Sequence, residues 1–377
     1  MEHEVTVLIT GDFCPVYRAG DLITRGAYKE IFNELLPIIT KADLAITNLE
    51  CPLTDNNVSI KKTGPSLKAS PETARILSKA GFNIVTIANN HIMDYGVDGL
   101  KQTIEACRNN DLSYVGAGYN IDHARKVLTV EINSYTVAII NYTENEFSTT
   151  HGNFPGANPL NIVENYRDIK KAREVADYVI VIIHGGNELY DLPSPRIKQT
   201  FKFFAEVGAS AVIGHHTHVP SGYEIHNGVP IFYSLGNFIF DYPQLTNSYW
   251  HLGYAVELHM GNEMDFRIIP YEQSHSIPGI RLLHDEEKDQ FENYLSKLNT
   301  TILCDSMLKD EFDKFCERNK KLYLSYLEPH SIKLFHFLRN RRLFPSFLTR
   351  RKRKLYLNLF RCEAHRDVVE NLLNKEE

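Results

Sequence analysis

The chain has 377 residues, with 41 Lys and Arg against 47 Asp and Glu and a net charge of −6 at pH 7. That length accommodates one large domain with an appendage, or two domains. The overall acidity disfavours a nucleic-acid role for the protein as a whole, and 43% hydrophobic with 23% charged residues is an ordinary globular composition. No stretch approaches the roughly 20 apolar residues of a membrane span, and Met1 to Val7 lacks the basic-then-apolar pattern of a secretory signal. Cys14, Cys51, Cys107, Cys304, Cys316 and Cys362 form no CxxC pair, so they read as reduced thiols and a cytoplasmic setting is expected.

In chain order, the β-branched run Val5–Thr10 predicts a strand that stops at Gly11 and Asp12. A carboxylate thus sits at its C-terminal end, where open α/β folds hold ligands. Helical spacing of Ile31, Leu35 and Ile38 predicts a helix over residues 27–39. Leu44–Asn48 reads as a second buried strand running into Glu50, and Pro52 stops any continuation. Residues 54–66 are polar and turn-rich and predict a loop rather than a core element. Ser70, Pro71 and Glu72 form a helix start, and that helix runs to Ala80. Strand Asn83–Ala88 opens onto Asn89, Asn90 and His91, followed by a helix over about residues 98–109 and a short strand Ser113–Val115.

Lys126–Ile132 and Thr136–Asn141 alternate as a hairpin around Asn133 and Ser134. Residues 142–160 form a polar loop of a length more often functional than connective. Helix Val163–Ala176 leads to strand Tyr178–Ile183, which ends on His184. After helix Pro195–Val207 comes the apolar run Ala211–Ile213; Gly214 permits a turn, and His215, His216 and His218 follow. In extended backbone the rings of His216 and His218 leave on the same side, and neutral imidazole is the commonest transition-metal ligand. Short β-rich runs follow at residues 222–226, 230–234, 254–258 and 266–269. The alternation predicts an α/β fold, a sheet with helices on its faces.

From about residue 276 the texture changes, which places a domain boundary near 276–282 and divides the chain into residues 1–278 and 279–377. Residues 287–327 show helical spacing, and between Pro329 and Cys362 there are ten Lys and Arg and no acid, with Phe and Leu interleaved.

Asp12, Glu50, Asn90 with His91, His184, and His216 with His218 all follow predicted strands. Oxygen and imidazole donors suit Mn, Fe or Zn rather than a soft thiolate cluster. Two ions roughly 3.5–4 Å apart need about this many ligands, with one carboxylate bridging. The motifs Gly11-Asp12, Asn48-Leu49-Glu50, Ala88–His91 with Asp94-Tyr95-Gly96, His184–Glu188, Gly214–His218 and Tyr233–Phe238 occur in this order within residues 4–270. Together they resemble the CapA family, named for capsule and poly-γ-glutamate synthesis, within the calcineurin-like metallophosphoesterases.

The resemblance implies a four-layer α/β/β/α metallophosphoesterase sandwich with a dinuclear centre at its strand ends; the C-terminal part is a helical extension with the basic segment 330–361. Asp12 and His218 would hold one divalent ion and Asn90, His184 and His216 the other, with Glu50 bridging. His91 would be the general acid for the leaving group of an in-line displacement at phosphorus. Cys14, Asn48, Glu188, His215 and Asn237 would line the pocket or support the ligands. The chain departs from the superfamily at Cys14, which replaces a histidine, at Glu50, which replaces an aspartate, and at Gly185, where Trp is common. Cys14 reads either as a thiolate ligand favouring Zn or Fe, or as a neighbour that leaves one ion a ligand short. Glu188 reads either as a carboxylate orienting His184 or as a surface residue.

The implied activity is metal-dependent phosphoester hydrolysis in envelope-polymer synthesis, on a phosphorylated glycan, polymer or lipid-linked intermediate. The alternative is a non-catalytic accessory subunit of a synthesis or export machine. Residues 330–361 are expected to dock on an anionic membrane surface, the competing reading being a solvated face packed on the fold. A nucleic-acid partner is not expected.

Overall fold

The computed structural model describes residues 4–62, 64–242, 248–261, 264–326 and 332–361. It is a mixed α/β structure with two main sheets. In the first, the order is Ile280–Leu282, Met264–Gln273, Leu252–Met260, Val5–Cys14, Leu44–Leu49, Ile84–Thr86 and Ser113–Val115, and Asn237–Phe240 pairs with the end of Val5–Cys14. Every residue of Leu44–Leu49 is buried, as expected of a strand covered on both faces and of a sequence that reads as a continuous apolar run. The second sheet runs Tyr223–His226, Val229–Phe232, Ala211–His215, Tyr178–His184, Tyr135–Thr143 and Leu128–Ile132.

Parallel pairing brings the strand ends into line. Asp12 lies opposite Asn48, and Asn48 opposite Thr86. In the second sheet His184 lies opposite both His215 and Thr143. Each functional strand therefore ends at the same edge of its sheet, so that register alone gathers the polar residues.

Helices Glu72–Ala80, Gly96–Arg108, Ile162–Arg173 and Pro195–Val207 lie close to where the sequence predicts them. The helix expected over residues 27–39 is instead Tyr28–Phe32, a 3-10 turn Asn33–Leu35 and Leu36–Lys41. Asn33 takes a φ of 38°, a left-handed setting that a continuous helix excludes. Helix Tyr17–Thr24 and strands Asn237–Phe240 and Ile280–Leu282 are additions to the predicted set.

The chain divides into two compact units, Met1–Lys309 and Asp310–Glu377, rather than near residues 276–282. The first unit extends further because Ile280–Leu282 pairs with Met264–Gln273, and because helix Asp285–Leu303 buries Phe291, Leu295, Leu298 and Ile302. Asn299 on that helix also accepts a hydrogen bond from Tyr223 N at 2.7 Å. In the second unit the end of helix Asp305–Tyr326 is followed by Lys333–Asn340 and Arg350–Arg361. Of the expected helical extension 279–377, residues 327–331 and 362–377 lie outside the described residues, 330 and 331 of its basic segment among them.

Beneath the edge of the first sheet, Phe13, Phe32, Phe82 and Phe238 form an aromatic cluster with ring centroids 5.6–6.1 Å apart. Phe13 and Phe238 directly follow Asp12 and Asn237, so this packing anchors the strands that deliver those residues. Phe32→Ala is expected to cost about 3–5 kcal/mol, read from denaturant unfolding. A loss within about 0.5 kcal/mol, typical of a surface substitution, would contradict this role of the cluster.

Candidate functional site

Asp12 emerges where two backbones nearly touch. A Cβ on Gly11 would lie 2.0 Å from the Gly236 carbonyl oxygen, which accepts a hydrogen bond from Asp12 N at 3.1 Å, so only glycine fits. Asn48 Nδ2 donates to Asp12 Oδ1 at 2.7 Å and stands 3.1 Å from His184 Nδ1. His184 Nε2 faces Asn90 Oδ1 and His216 Nδ1, each at 3.0 Å, and Glu50 Oε1 at 3.4 Å. Across the cluster, His218 Nε2 lies 3.7 Å from the same Glu50 oxygen, while its Nδ1 lies 3.0 Å from Asn237 Oδ1. All six expected ligands, Asp12, Glu50, Asn90, His184, His216 and His218, therefore meet in one place and are buried.

Two tight groups of ligand atoms stand out, Asp12 with Glu50 and His184, and Glu50 with His216 and His218, each within 4.8 Å. Glu50 belongs to both, but the groups pair Asp12 with His184 and His216 with His218, whereas the resemblance divides Asp12 and His218 from His184 and His216. Two donors held about 2.0–2.1 Å from a shared ion at roughly 90–110° stand about 2.9–3.4 Å apart. The separations of 3.0, 3.0 and 3.4 Å around His184 Nε2 have that spacing. Both Glu50 carboxylate oxygens are buried without a hydrogen-bond partner among the described residues, a costly state that a cation relieves. Donor chemistry, spacing and the orphaned carboxylate all fit divalent metal.

Electrostatics follow from burial. Burial pushes the Glu50 carboxyl well above its ordinary range, and the Asp12 and Glu188 carboxylates add to the effect. Burial also opposes ionisation of Asp12, but the contact with His215, together with His184 and His218, holds it well below the carboxylate range. Burial, reinforced by His216, keeps His184 well below the usual imidazole value; burial, reinforced by His218, lowers His216 to about 4. Neutral imidazoles are the form that binds metal.

His91 sits at the margin of the cluster. Its Nδ1 lies 2.7 Å from Asp94 Oδ2 and 3.1 Å from Lys62 Nζ, and Lys62 is ion-paired with the other Asp94 oxygen. The same Asp94 Oδ2 accepts a hydrogen bond from Leu67 N at 2.7 Å. With the Nδ1 proton directed at Asp94, Nε2 is the atom available to a bound molecule. Burial lowers the imidazole pKa and Asp94 opposes that shift.

The structure revises several expectations. Residues 54–62 and 64–66 form loop, but the side chain of Lys62 is buried against Asp94, a position that its polar setting does not announce. Gly214 lies within strand Ala211–His215 rather than in a turn, and a Cβ there would meet the Tyr233 carbonyl oxygen at 2.1 Å. The turn is made by His216 and His218 themselves, with φ values of 93° and 59°, so their rings converge through strained rather than extended backbone. Cys14 is buried but belongs to neither group of converging ligand atoms, and burial beside Cys51 pushes its thiol well above the usual value. That favours the reading as a neighbour. His184 is oriented by Asn48, whereas Glu188 is exposed and acts on the cluster through its charge. Asn237 holds His218 by a hydrogen bond and so supports a ligand, whereas His215 is buried with Nδ1 3.1 Å from Asp12 Oδ1 but neither ring nitrogen has a hydrogen-bond partner among the described residues. The long loop contributes as well: Ser148 Oγ donates to Asn90 O at 2.7 Å, and Glu146 Oε1 lies 3.8 Å from His216 Nε2.

Fold and site define an α/β protein with a buried carboxylate–imidazole cluster at its strand ends. Residues 6–242 match the family described as bacterial capsule synthesis protein PGA_cap, and the chain belongs to that family. It is 32% identical over 250 residues to the capsule biosynthesis protein CapA of Bacillus anthracis, covering 63% of this chain and 60% of that protein. To the PGA biosynthesis protein CapA of Bacillus subtilis it is 34% identical over 215 residues, covering 56% and 57%. A probable polyglutamine synthesis accessory protein of Mycobacterium tuberculosis is 26% identical over 227 residues, covering 56% and 60%. The matches thus span 57–60% of the length of these curated relatives. Among solved structures, a 5'-nucleotidase from Candida albicans aligns with a TM-score of 0.40 at 14% identity, covering 85% of this chain and 59% of that one.

Glu50 yields a test of metal binding. Its raised pKa favours the folded protein while the proton is kept, an advantage present below about pH 4.5 and lost as pH rises through the raised value. A bound cation requires the carboxylate and offsets that loss. The Tm gain on adding Mn²⁺ or Zn²⁺ to chelator-treated protein is therefore expected to grow from acidic to neutral pH, and to lose most of this dependence in Glu50→Gln. Calorimetry showing no gain with either ion, or the same profile in the variant, would contradict the assignment.

Proposed function

We propose that the chain is a metal-dependent phosphoesterase with the four-layer α/β/β/α architecture, acting in capsule or poly-γ-glutamate synthesis. Its substrate would be a phosphorylated glycan, polymer or lipid-linked intermediate. The observation that carries this reading is His91, an imidazole beside the ligand cluster that is oriented by Asp94 and leaves Nε2 available. A site that merely stabilised the fold would have no use for such a group.

In this reading Asp12, Glu50, Asn90, His184, His216 and His218 hold two divalent ions, Mn, Fe or Zn, with Glu50 shared. Bound ions of this kind activate water and absorb the charge that develops on a transferring phosphoryl group. The protein's own part is positional. Asn48 and Asn237 fix the rings of His184 and His218, and Ser148 secures the backbone of Asn90. Asp94 accepts from His91 Nδ1 and presents Nε2 to donate a proton to the leaving oxygen. Lys62 balances the buried Asp94 charge and keeps that carboxylate in place.

The second reading, an accessory subunit without turnover, rests on Cys14 at the position of a histidine donor and on its absence from both ligand groups. Turnover distinguishes the two. His91→Ala is expected to retain metal and to lose roughly 10²–10⁴ in turnover of an alkyl phosphoester. It should lose far less with a p-nitrophenyl ester, whose leaving group needs no proton. Equal losses on both would make His91 a structural residue, and a metal-loaded wild type inert to both esters would favour the accessory reading.

A further inference from the structure

We propose that residues 332–361 form a docking surface for an anionic lipid bilayer, an inference independent of whether the ligand cluster turns over substrate. Between Pro329 and Cys362 the chain carries ten Lys and Arg and no Asp or Glu, although the whole protein has a net charge of −6. A run of one sign repels itself, and an anionic phase relieves that repulsion.

The structure sorts the apolar residues of this segment into two sets. Phe335, Phe344 and Phe347 pack on one another, with centroids 4.9 and 5.7 Å apart along the series, and Leu348 is buried. These residues form a small cluster at the joint between helices Lys333–Asn340 and Arg350–Arg361, with Leu348 buried, Phe335 and Phe344 half-buried and Phe347 at its exposed rim. Leu334, Phe337, Leu343 and Phe360 belong to the other set, with exposures of 61, 53, 69 and 54%. Helix Lys333–Asn340 has no buried residue at all.

Cations accompany the exposed apolar groups. The Arg341 guanidinium lies over the Phe337 ring, 3.6 Å from its centroid, and Arg342, Arg350 and Arg351 are exposed. Such a surface matches the headgroup zone, where rings and aliphatic chains enter the acyl boundary and guanidinium groups meet phosphate. Among the described residues no helix is long and apolar enough to cross a membrane, so the contact would lie on the surface. Nucleic acid would satisfy the charges but not the exposed Leu334, Phe337 and Leu343, whose water-facing area only an apolar phase recovers. The bilayer is therefore the favoured partner.

Vesicle sedimentation of the full chain tests the proposal. Wild type is expected to sediment at low salt with phosphatidylcholine–phosphatidylglycerol vesicles and to remain in solution with phosphatidylcholine alone. Replacing Arg342, Arg350, Arg351 and Lys352 together by Gln should lower the partition coefficient roughly 10²- to 10³-fold. The paired substitution Phe337→Ser and Leu343→Ser should lower it by about tenfold or more while leaving the charge intact. The substituted side chains lie at the surface, and circular dichroism matching wild type shows that each variant is folded. The proposal fails if wild type ignores both vesicle types or binds both equally. It also fails if the Ser variant binds as wild type does and duplex DNA strips both from the vesicles, which would assign the surface to nucleic acid.

Discussion

The structure turns on one buried carboxylate. Glu50 lies just past the end of a fully buried strand, and neither of its oxygens has a hydrogen-bond partner among the described residues. Burial makes the charge costly without a cation and pushes the carboxyl well above its ordinary range. Burial lowers the pKa of His184 and His216 beside it, and a neutral imidazole presents one lone pair and one N–H. The arrangement is poor as a self-sufficient polar core and well matched to a bound divalent ion. The strands and amides around the site hold these groups in that arrangement.

Three kinds of support do this. Parallel register aligns Asp12 with Asn48 and His184 with His215 before any side chain is considered. Amides then fix the rings, Asn48 at His184 and Asn237 at His218. Finally, left-handed φ at His216 and His218 redirects the chain so that both rings face Glu50, a strain that the surrounding strands must sustain. His91 belongs to a separate network with Asp94 and Lys62, supplied by a loop and not by a sheet. Ligand placement is thus tied to the core, whereas the placement of His91 depends on a surface segment.

The sheet-edge residues were legible because buried parallel strands read as unbroken apolar runs, and each such run here stops at a polar donor. Lys62 was not, since nothing in a polar, turn-rich stretch distinguishes a buried lysine from a solvated one. Its burial is decided by Asp94, 32 positions away. The conformation of His216 and His218 is illegible for a related reason: spacing reports sequence offset and carries no information on the φ that each residue adopts. The extent of the first unit was obscured by charge. Helix Asp285–Leu303 is rich in Glu and Lys, yet Phe291, Leu295, Leu298 and Ile302 follow helical periodicity and form its buried face. That stripe was visible in the sequence and outweighs the composition.

Whether Glu50 and its neighbours hold metal is decided by elemental analysis of protein purified without added metal. About two equivalents of Mn, Fe or Zn per chain are expected, as a bridged pair requires, with a marked fall when Asp12 and His218 are both replaced by Ala. Wild-type protein free of all three metals that also takes up none on dialysis against them would contradict the account.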